Sequence, residues 1–144
     1  MEPESFLLCL CVFVVVLLVV WLWAVLTVAR RNSEYAAKHL EFVTHADVDT
    51  VLVAIQRAVG RVSRARITSR SRLGVVITIG SRLLSNGQIR LDLQINDGFV
   101  VGQGYPTTER HAGMVNTAAP VGLKVFAAIE DEIRRLDPQA EIMG

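Results

Sequence analysis

The strongest pattern along the chain is one continuous apolar segment close to its amino end. Residues 6–29 carry no charged side chain, and 17 of these 24 residues are Leu, Val or Phe. A helix of that length extends about 36 Å, which exceeds the roughly 30 Å hydrocarbon core of a bilayer. Helical geometry also satisfies the backbone hydrogen bonds internally, as lipid requires. The pattern therefore predicts one transmembrane helix over 6–29, preceded by a short leader at 1–5.

The carboxyl end of this segment carries residues typical of a membrane–water interface. Trp21 and Trp23 are placed where an indole ring lies at headgroup level, and Arg30 and Arg31 follow directly. All 15 Lys and Arg residues lie after the segment. The positive-inside rule therefore predicts an external leader and a cytoplasmic carboxyl-terminal domain at the cell membrane, with the lipid bilayer as a partner.

A cleaved secretory signal is the alternative for the apolar segment. Such a signal has a basic stretch, an apolar core of about 7–15 residues and a small-residue cleavage site. The leader contains two acids and no base, and the apolar core is much longer. The sequence therefore favours an uncleaved anchor. Cys9 and Cys11 lie on different faces of the predicted helix, so a bridge within one chain is not expected. We interpret them as apolar filler rather than as bridging or lipidated thiols.

Beyond the anchor, the spacing of apolar positions changes and predicts a small globular domain at 40–138. Residues 30–39 form a polar collar that either extends the helix or serves as a linker, and 139–144 are expected to form a tail. Apolar positions recur at helical spacing in two stretches and alternate with polar ones elsewhere. The predicted elements are strands at 40–44, 66–70, 74–84, 88–95 and 99–105, and helices that start at Thr44 and Pro120 and end at Gly60 and Leu136.

The clearest strand prediction is the alternation over 88–95. Its inward residues are Ile89, Leu91, Leu93 and Ile95, and its outward residues are Gln88, Arg90, Asp92 and Gln94. Such alternation is typical of an antiparallel sheet with one buried and one wetter face. The tripeptides at 85–87 and 96–98 contain Asn-Gly and Asp-Gly, which favour the tight turns that connect hairpin strands.

The resulting order, β-α-β-β-β-β-α, predicts an α+β domain whose antiparallel sheet carries two helices on one face. This order resembles those of the TATA-binding-protein-like and helix-grip folds, including small proteins of the START and polyketide-cyclase type. The resemblance covers residues 40–136 by element order alone. It implies an alternative function, the binding of a lipid or small apolar ligand between the last helix and the sheet.

The polar positions offer little catalytic chemistry. The sequence contains no zinc-ligand spacing, phosphate-binding loop or calcium loop, so neither a metal nor a cofactor is expected. Asp47 and Asp49 lie at a predicted helix start, where acids complement the helix dipole. The Gly-Gln-Gly sequence at 102–104 is too short for a dinucleotide-binding turn, and we interpret it as a strand end. The domain is therefore predicted not to be an enzyme.

One group keeps an enzymatic alternative open. Glu109, Arg110 and His111 are adjacent in the polar connection 107–119, and we interpret this connection as a loop with polar residues. An enzyme of unknown reaction that uses His111 is the second alternative function.

Charge is distributed unevenly along the domain. Residues 50–91 contain no acid, whereas six arginines lie within sixteen residues: Arg57, Arg61, Arg64, Arg66, Arg70 and Arg72. Beside a bilayer, such a patch would attract anionic lipid or an acidic protein surface. Nucleic acid is the weakest partner, because no aromatic residues alternate with the arginines. The alternative is that these arginines form solvated faces, partly paired with the acids at 130–132.

These patterns predict a non-enzymatic, single-pass membrane protein. Its cytoplasmic domain would act as an interaction module or accessory subunit, with other membrane or membrane-associated proteins as partners. The preference for 13 Arg over 2 Lys, together with much Val and Ala, is typical of a GC-rich bacterial genome.

Overall fold

A computed structural model describes residues 2–80, 85–107 and 119–143. Its longest element is helix α1 (Pro3–Ala36), which has a proline in its first turn and continues through most of the polar collar. The large apolar side chains of the segment 6–28 are exposed, and none of its most apolar stretch is buried against protein. Helix α1 is therefore long and apolar enough to span a membrane.

The remaining elements form an α+β domain, as predicted. In chain order they are β1 (Leu40–Thr44), α2 (Val48–Gly60), β2 (Ala65–Ser71), β3 (Gly74–Gly80), β4 (Ser85–Asn96), β5 (Phe99–Thr107), α3 (Ala119–Leu136) and β6 (Glu141–Met143). The six strands make one antiparallel sheet in the order β2-β3-β4-β5-β1-β6. Strand β6 lies where a tail was expected and pairs with β1, so the order becomes β-α-β-β-β-β-α-β.

One hydrophobic core lies between the sheet and the two helices α2 and α3. The predicted alternation along β4 is confirmed at Ile89, Leu91 and Leu93, which are all buried. It is wrong at Ile95, whose side chain is 48% exposed. Ile95 lies next to the hairpin turn, at the end of the strand, where less of the domain covers it.

The two turn predictions have different outcomes. The turn after β4 is confirmed, because Asn96 pairs with Phe99 across a two-residue loop that contains Gly98 at φ +82°. The turn at 85–87 is wrong, because these residues form the start of β4 and pair with the end of β3. Strand β3 is described as far as Gly80. The rest of its predicted range, 81–84, lies outside the described residues.

Strand β5 continues further than predicted and contains both glycines of the 102–104 sequence. It passes through Pro106, which pairs with Ile89 of β4, so the predicted strand end is wrong. Gly102 lies opposite Phe42 of β1, and a Cβ at Gly102 would overlap the Phe42 ring. The missing side chain lets this fully buried ring lie across its partner strand.

The start of α2 also differs from the prediction. The helix begins at Val48 rather than after Thr44, and Thr44 ends strand β1. The Thr44 hydroxyl donates to Oδ2 of Asp137 at 3.0 Å and accepts the Ala46 N–H at 3.2 Å. Asp137 also accepts the backbone N–H groups of His45 at 3.1 Å and Gln139 at 3.0 Å. Its carboxylate therefore joins the end of α3 to the end of β1.

Asp137→Asn is expected to destabilise the chain at neutral pH and to have little effect in acid. The backbone N–H of His45, with further help from Thr44 and Gln139, holds the pKa of the Asp137 carboxyl below its usual value. A carboxyl whose pKa is lower in the folded chain stabilises the folded state at pH values above its unfolded pKa of about 3.9. This stabilisation is lost as the pH falls through the folded-state pKa. Thermal unfolding of the full chain in mild detergent, at about pH 7 and pH 2.5, measures it. A Tm difference of the same size at both pH values would contradict the role of the charge.

Candidate functional site

The junction between α1 and the domain is made by Tyr35. This residue is 1% exposed and belongs to the hydrophobic core. Its ring lies 6.4 Å from that of Phe126, centroid to centroid, and packs over Gly122 on α3, where a Cβ would overlap it. The apolar segment ends at residue 29, only six residues or about 9 Å earlier along the helix. The polar collar as far as Ala36 is therefore a continuation of α1, and the helix reaches the domain core at Tyr35 without an intervening linker.

Sequence reasoning missed Tyr35. The only signal was one aromatic residue within the polar stretch 30–39. Its burial depends on Gly122, which lies 87 positions later in the sequence.

The predicted interface residues all lie on exposed surfaces of α1. Trp21 and Trp23 project from the helix, and Arg31 is exposed one turn from the domain. Arg30 pairs with Glu34 one turn later, with its Nε 3.4 Å from Oε1. These positions place two indoles before the basic pair along one helix, the arrangement that anchors a helix end at headgroup level.

The structure divides the six predicted arginines into two groups. Arg57, Arg61 and Arg72 each lie near a carboxylate, whereas Arg64, Arg66 and Arg70 have no carboxylate partner among the residues that the structure describes. Arg72 pairs with Asp49 in the first turn of α2, with Nη2 and Oδ2 3.2 Å apart. These three arginines share two carboxylates, Asp49 and Glu132, so the predicted patch is only partly compensated within the domain.

Glu132 on α3 is the carboxylate that faces Arg57 and Arg61. It is 3% exposed, and Nη2 of Arg61 lies 3.1 Å from its Oε1. The geometry of that contact does not make a hydrogen bond, so Oε1 is buried without a hydrogen-bond donor among the described groups. Arg61 instead donates to the carbonyl of Ala128 at 3.3 Å. These contacts join α2 to α3 and leave Arg57 and Arg61 less available to an outside anion.

The three remaining arginines lie on or beside β2. Arg70 donates from Nη1 to the neutral Oε1 of Gln56 at 2.8 Å, and Nε of Arg66 is buried without an acceptor among the described residues. Arg64 is exposed and has a φ of 67°, a left-handed conformation that is uncommon for residues other than glycine. The charge of these three side chains is therefore uncompensated by any described acid.

An open cleft of about 410 Å³ lies between α2 and β2. Its lining residues are Gln56, Val59, Gly60, Ala65, Arg66, Ile67 and Arg70. Guanidinium groups make short, charge-assisted hydrogen bonds with carboxylates and phosphates. The cleft can therefore accept an anionic group beside its apolar wall.

A β-bulge in β2 gives Arg70 its place in this cleft. The pairing of β2 with β3 shifts register between Ile67 and Ser69. The extra residue places Arg70 opposite Val75, a core residue, so that its side chain reaches α2. Arg66 lies before the bulge, opposite Thr78. A single sequence gives no signal for such a bulge, because the alternation it interrupts is weak in β2.

Among the residues that the structure describes, the other candidate groups contribute no assembled centre. Within 2–80, 85–107 and 119–143, no three His, Cys, Asp or Glu side chains are close enough to hold a metal ion. The Glu109–His111 group lies outside the described residues. Cys9 and Cys11 are free and exposed on α1.

The sequence matches no protein-family model, and comparison with curated proteins finds no match either.

Proposed function

We propose that this chain is a single-pass membrane protein whose α+β domain is a non-enzymatic interaction module at the cytoplasmic membrane face. The observation that carries the proposal is the direct insertion of Tyr35 into the domain core. Because Tyr35 lies about 9 Å beyond the apolar segment, the domain is held next to the headgroups. A domain in that position meets partners that lie in, or on, the same membrane.

The distribution of charge supports the orientation. No Lys or Arg precedes the apolar segment, whereas Arg30, Arg31 and Lys38 follow it within ten residues. Under the positive-inside rule these bases keep the domain in the cytoplasm.

The packing of the core supports an interaction module over a ligand-binding domain. A helix-grip protein would hold an apolar ligand between the last helix and the sheet. In this chain the fully buried rings of Tyr35, Phe42 and Phe126 belong to the core that fills this region. The cleft of about 410 Å³ lies elsewhere, beside β2, and two arginines line it. Its chemistry suits a charged protein surface better than an apolar molecule.

The proposal is tested by purifying the tagged full chain in mild detergent from its own membranes. We expect the chain to stay in the membrane through an alkaline wash and to copurify with a stoichiometric membrane-associated protein. A matched control replaces 6–29 with an unrelated spanning helix of equal length and retains the domain, and it should keep the partner. A monodisperse monomer without a partner, or release by the alkaline wash, would contradict the proposal.

A further inference from the structure

Strand β2 forms one edge of the sheet and pairs only with β3 among the described strands. The N–H of Gly80 donates to the carbonyl of Arg64 at 2.8 Å, which fixes which residues of β2 face β3. In an antiparallel ladder, hydrogen-bonded and non-hydrogen-bonded pairs alternate. The backbone groups of Arg66 therefore face β3, whereas those of Ala65 and Ile67 point outward from the sheet. The same two residues line the cleft beside α2.

The uncompensated arginines lie along this edge. Arg64 directly precedes the strand, Arg66 lies between the two outward-facing residues, and Arg70 lies on the helix-bearing side after the bulge. Arg66 lies opposite Thr78 on the outer face of the sheet, and Arg70 lies opposite Val75 on the helix-bearing face. A strand added to β2 would place side chains from both of its faces next to these guanidinium groups. Carboxylates at those positions would compensate charges that no described acid of the chain compensates.

A second copy of this chain does not fit the edge. Two β2 strands paired with each other would bring arginines against arginines, and like charges on paired strands are destabilising. A lipid headgroup would compensate only the charge of the arginines. It offers no alternating donors and acceptors to the outward backbone groups of Ala65 and Ile67. A polypeptide backbone offers both.

We propose that the β2 edge binds an extended acidic segment of a partner protein as an additional strand. The segment's backbone pairs with Ala65 and Ile67, and its carboxylates pair with Arg64, Arg66 and Arg70. This mode is β-augmentation, in which main-chain hydrogen bonds give affinity and side-chain contacts give specificity. The inference rests on the proposed function, because it names the partner chemistry of the interaction module.

The test uses the full chain in nanodiscs of neutral phosphatidylcholine. The probe is a fluorescent peptide of nine residues in which pairs of adjacent Glu alternate with pairs of Val or Thr, so that each face of the added strand carries carboxylates. Its control carries N-methyl groups on alternate residues and has the same charge. We expect the N-methylated peptide to bind at least about tenfold more weakly, because it cannot form the ladder. We also expect peptide binding to slow hydrogen exchange at the amides of Ala65 and Ile67.

Two triple variants separate local pairing from overall charge. R64Q/R66Q/R70Q removes the three uncompensated arginines, and R72Q/R90Q/R134Q removes three that lie within 3.2 Å of Asp49, Asp92 and Glu130. Exposed ion pairs are individually weak, so three together are expected to change peptide affinity about tenfold. The second variant changes the net charge by the same amount but retains the three uncompensated arginines, so it should bind within about twofold of the wild type.

Several outcomes would overturn the inference. Equal weakening by the two variants would make the attraction non-specific, and binding without slower exchange at Ala65 and Ile67 would exclude strand addition. The arginines would be assigned to lipid if vesicles of anionic phosphatidylglycerol bound the chain more tightly than the peptide does. In that case R64Q/R66Q/R70Q, but not R72Q/R90Q/R134Q, would weaken vesicle binding. A native partner retained by R64Q/R66Q/R70Q would overturn this inference alone, whereas a wild-type chain without any partner would overturn the proposed function itself.

Discussion

Gly122→Ala is expected to lower the free energy of unfolding by about 3 kcal/mol and to expel Tyr35 from the core. A Cβ at position 122 would overlap the Tyr35 ring, lying 2.6 Å from its Cζ. Helix α3 is held by the buried residues Val125 and Ile129, so the ring has to move instead. Loss of a large aromatic side chain from a core costs about 3–5 kcal/mol. The better helix propensity of alanine offsets at most about 1 kcal/mol of this loss.

Denaturant unfolding of the full chain in mild detergent measures this effect, and Gly60→Ala is the matched control. Gly60 ends α2 and has no atom within 4 Å of an added Cβ, so its replacement should stabilise by up to about 1 kcal/mol. The change from glycine to alanine should therefore lower the free energy of unfolding at position 122 and raise it at position 60. A Gly122→Ala chain as stable as the wild type would contradict the packing of Tyr35 over α3.

Variants of Tyr35 complete this test. Tyr35→Phe should be neutral or stabilising, because the Tyr35 hydroxyl is buried without a hydrogen-bond partner among the described residues. Tyr35→Ala should be about as costly as Gly122→Ala. In the Tyr35→Ala background, Gly122→Ala should have almost no further cost, since the overlapping ring is gone.

Phe42→Ala is expected to destabilise the chain by about 4 kcal/mol. Phe42 is fully buried between β1 and the helices, and truncation of a core phenylalanine typically costs about 3–5 kcal/mol. Gly102→Ala should also destabilise, by about 2 kcal/mol or more, because its Cβ would overlap the same ring. Both substitutions disturb the same contact, in which the Phe42 ring lies against strand β5 at Gly102.

A double-mutant cycle measures the coupling between these two positions. In the Phe42→Ala background the added Cβ at position 102 has room and fills part of the cavity, so Gly102→Ala should change sign and stabilise. Unfolding of the four chains in the same detergent gives the coupling energy. Additive effects would show that Phe42 does not lie over Gly102.

The parts of the fold that could be predicted from sequence are those that local periodicity defines. The 24-residue apolar segment, the helical stripe of α3 and the alternation at 89–93 each depend on neighbouring residues in one element. Their types were predicted correctly, and the α+β class followed from their order. Element ends were less predictable, because Thr44 bonds to Asp137, which lies 93 positions away, rather than capping the nearby helix.

The candidate site was predictable only as a cluster of charge. Arg64, Arg66 and Arg70 were found from composition, but their separation from Arg57 and Arg61 depends on Glu132, which lies on a different helix. The bulge that turns Arg70 toward Gln56 and the edge position of β2 arise from pairing with β3. Strand β6 has only three residues and gives too short a pattern to recognise.

The unbroken passage of α1 into the domain has a geometric consequence. Each residue of an α-helix turns the chain by about 100° and advances it by about 1.5 Å. Tyr35 fixes the carboxyl end of α1 in the domain. The number of residues between Tyr35 and the apolar segment therefore sets the angle about the helix axis between the apolar surface of α1 and the β2 edge. A partner that touches both surfaces would therefore be sensitive to helical phase. Insertions of about seven or about eleven residues, close to two or three whole turns, would restore its angular alignment.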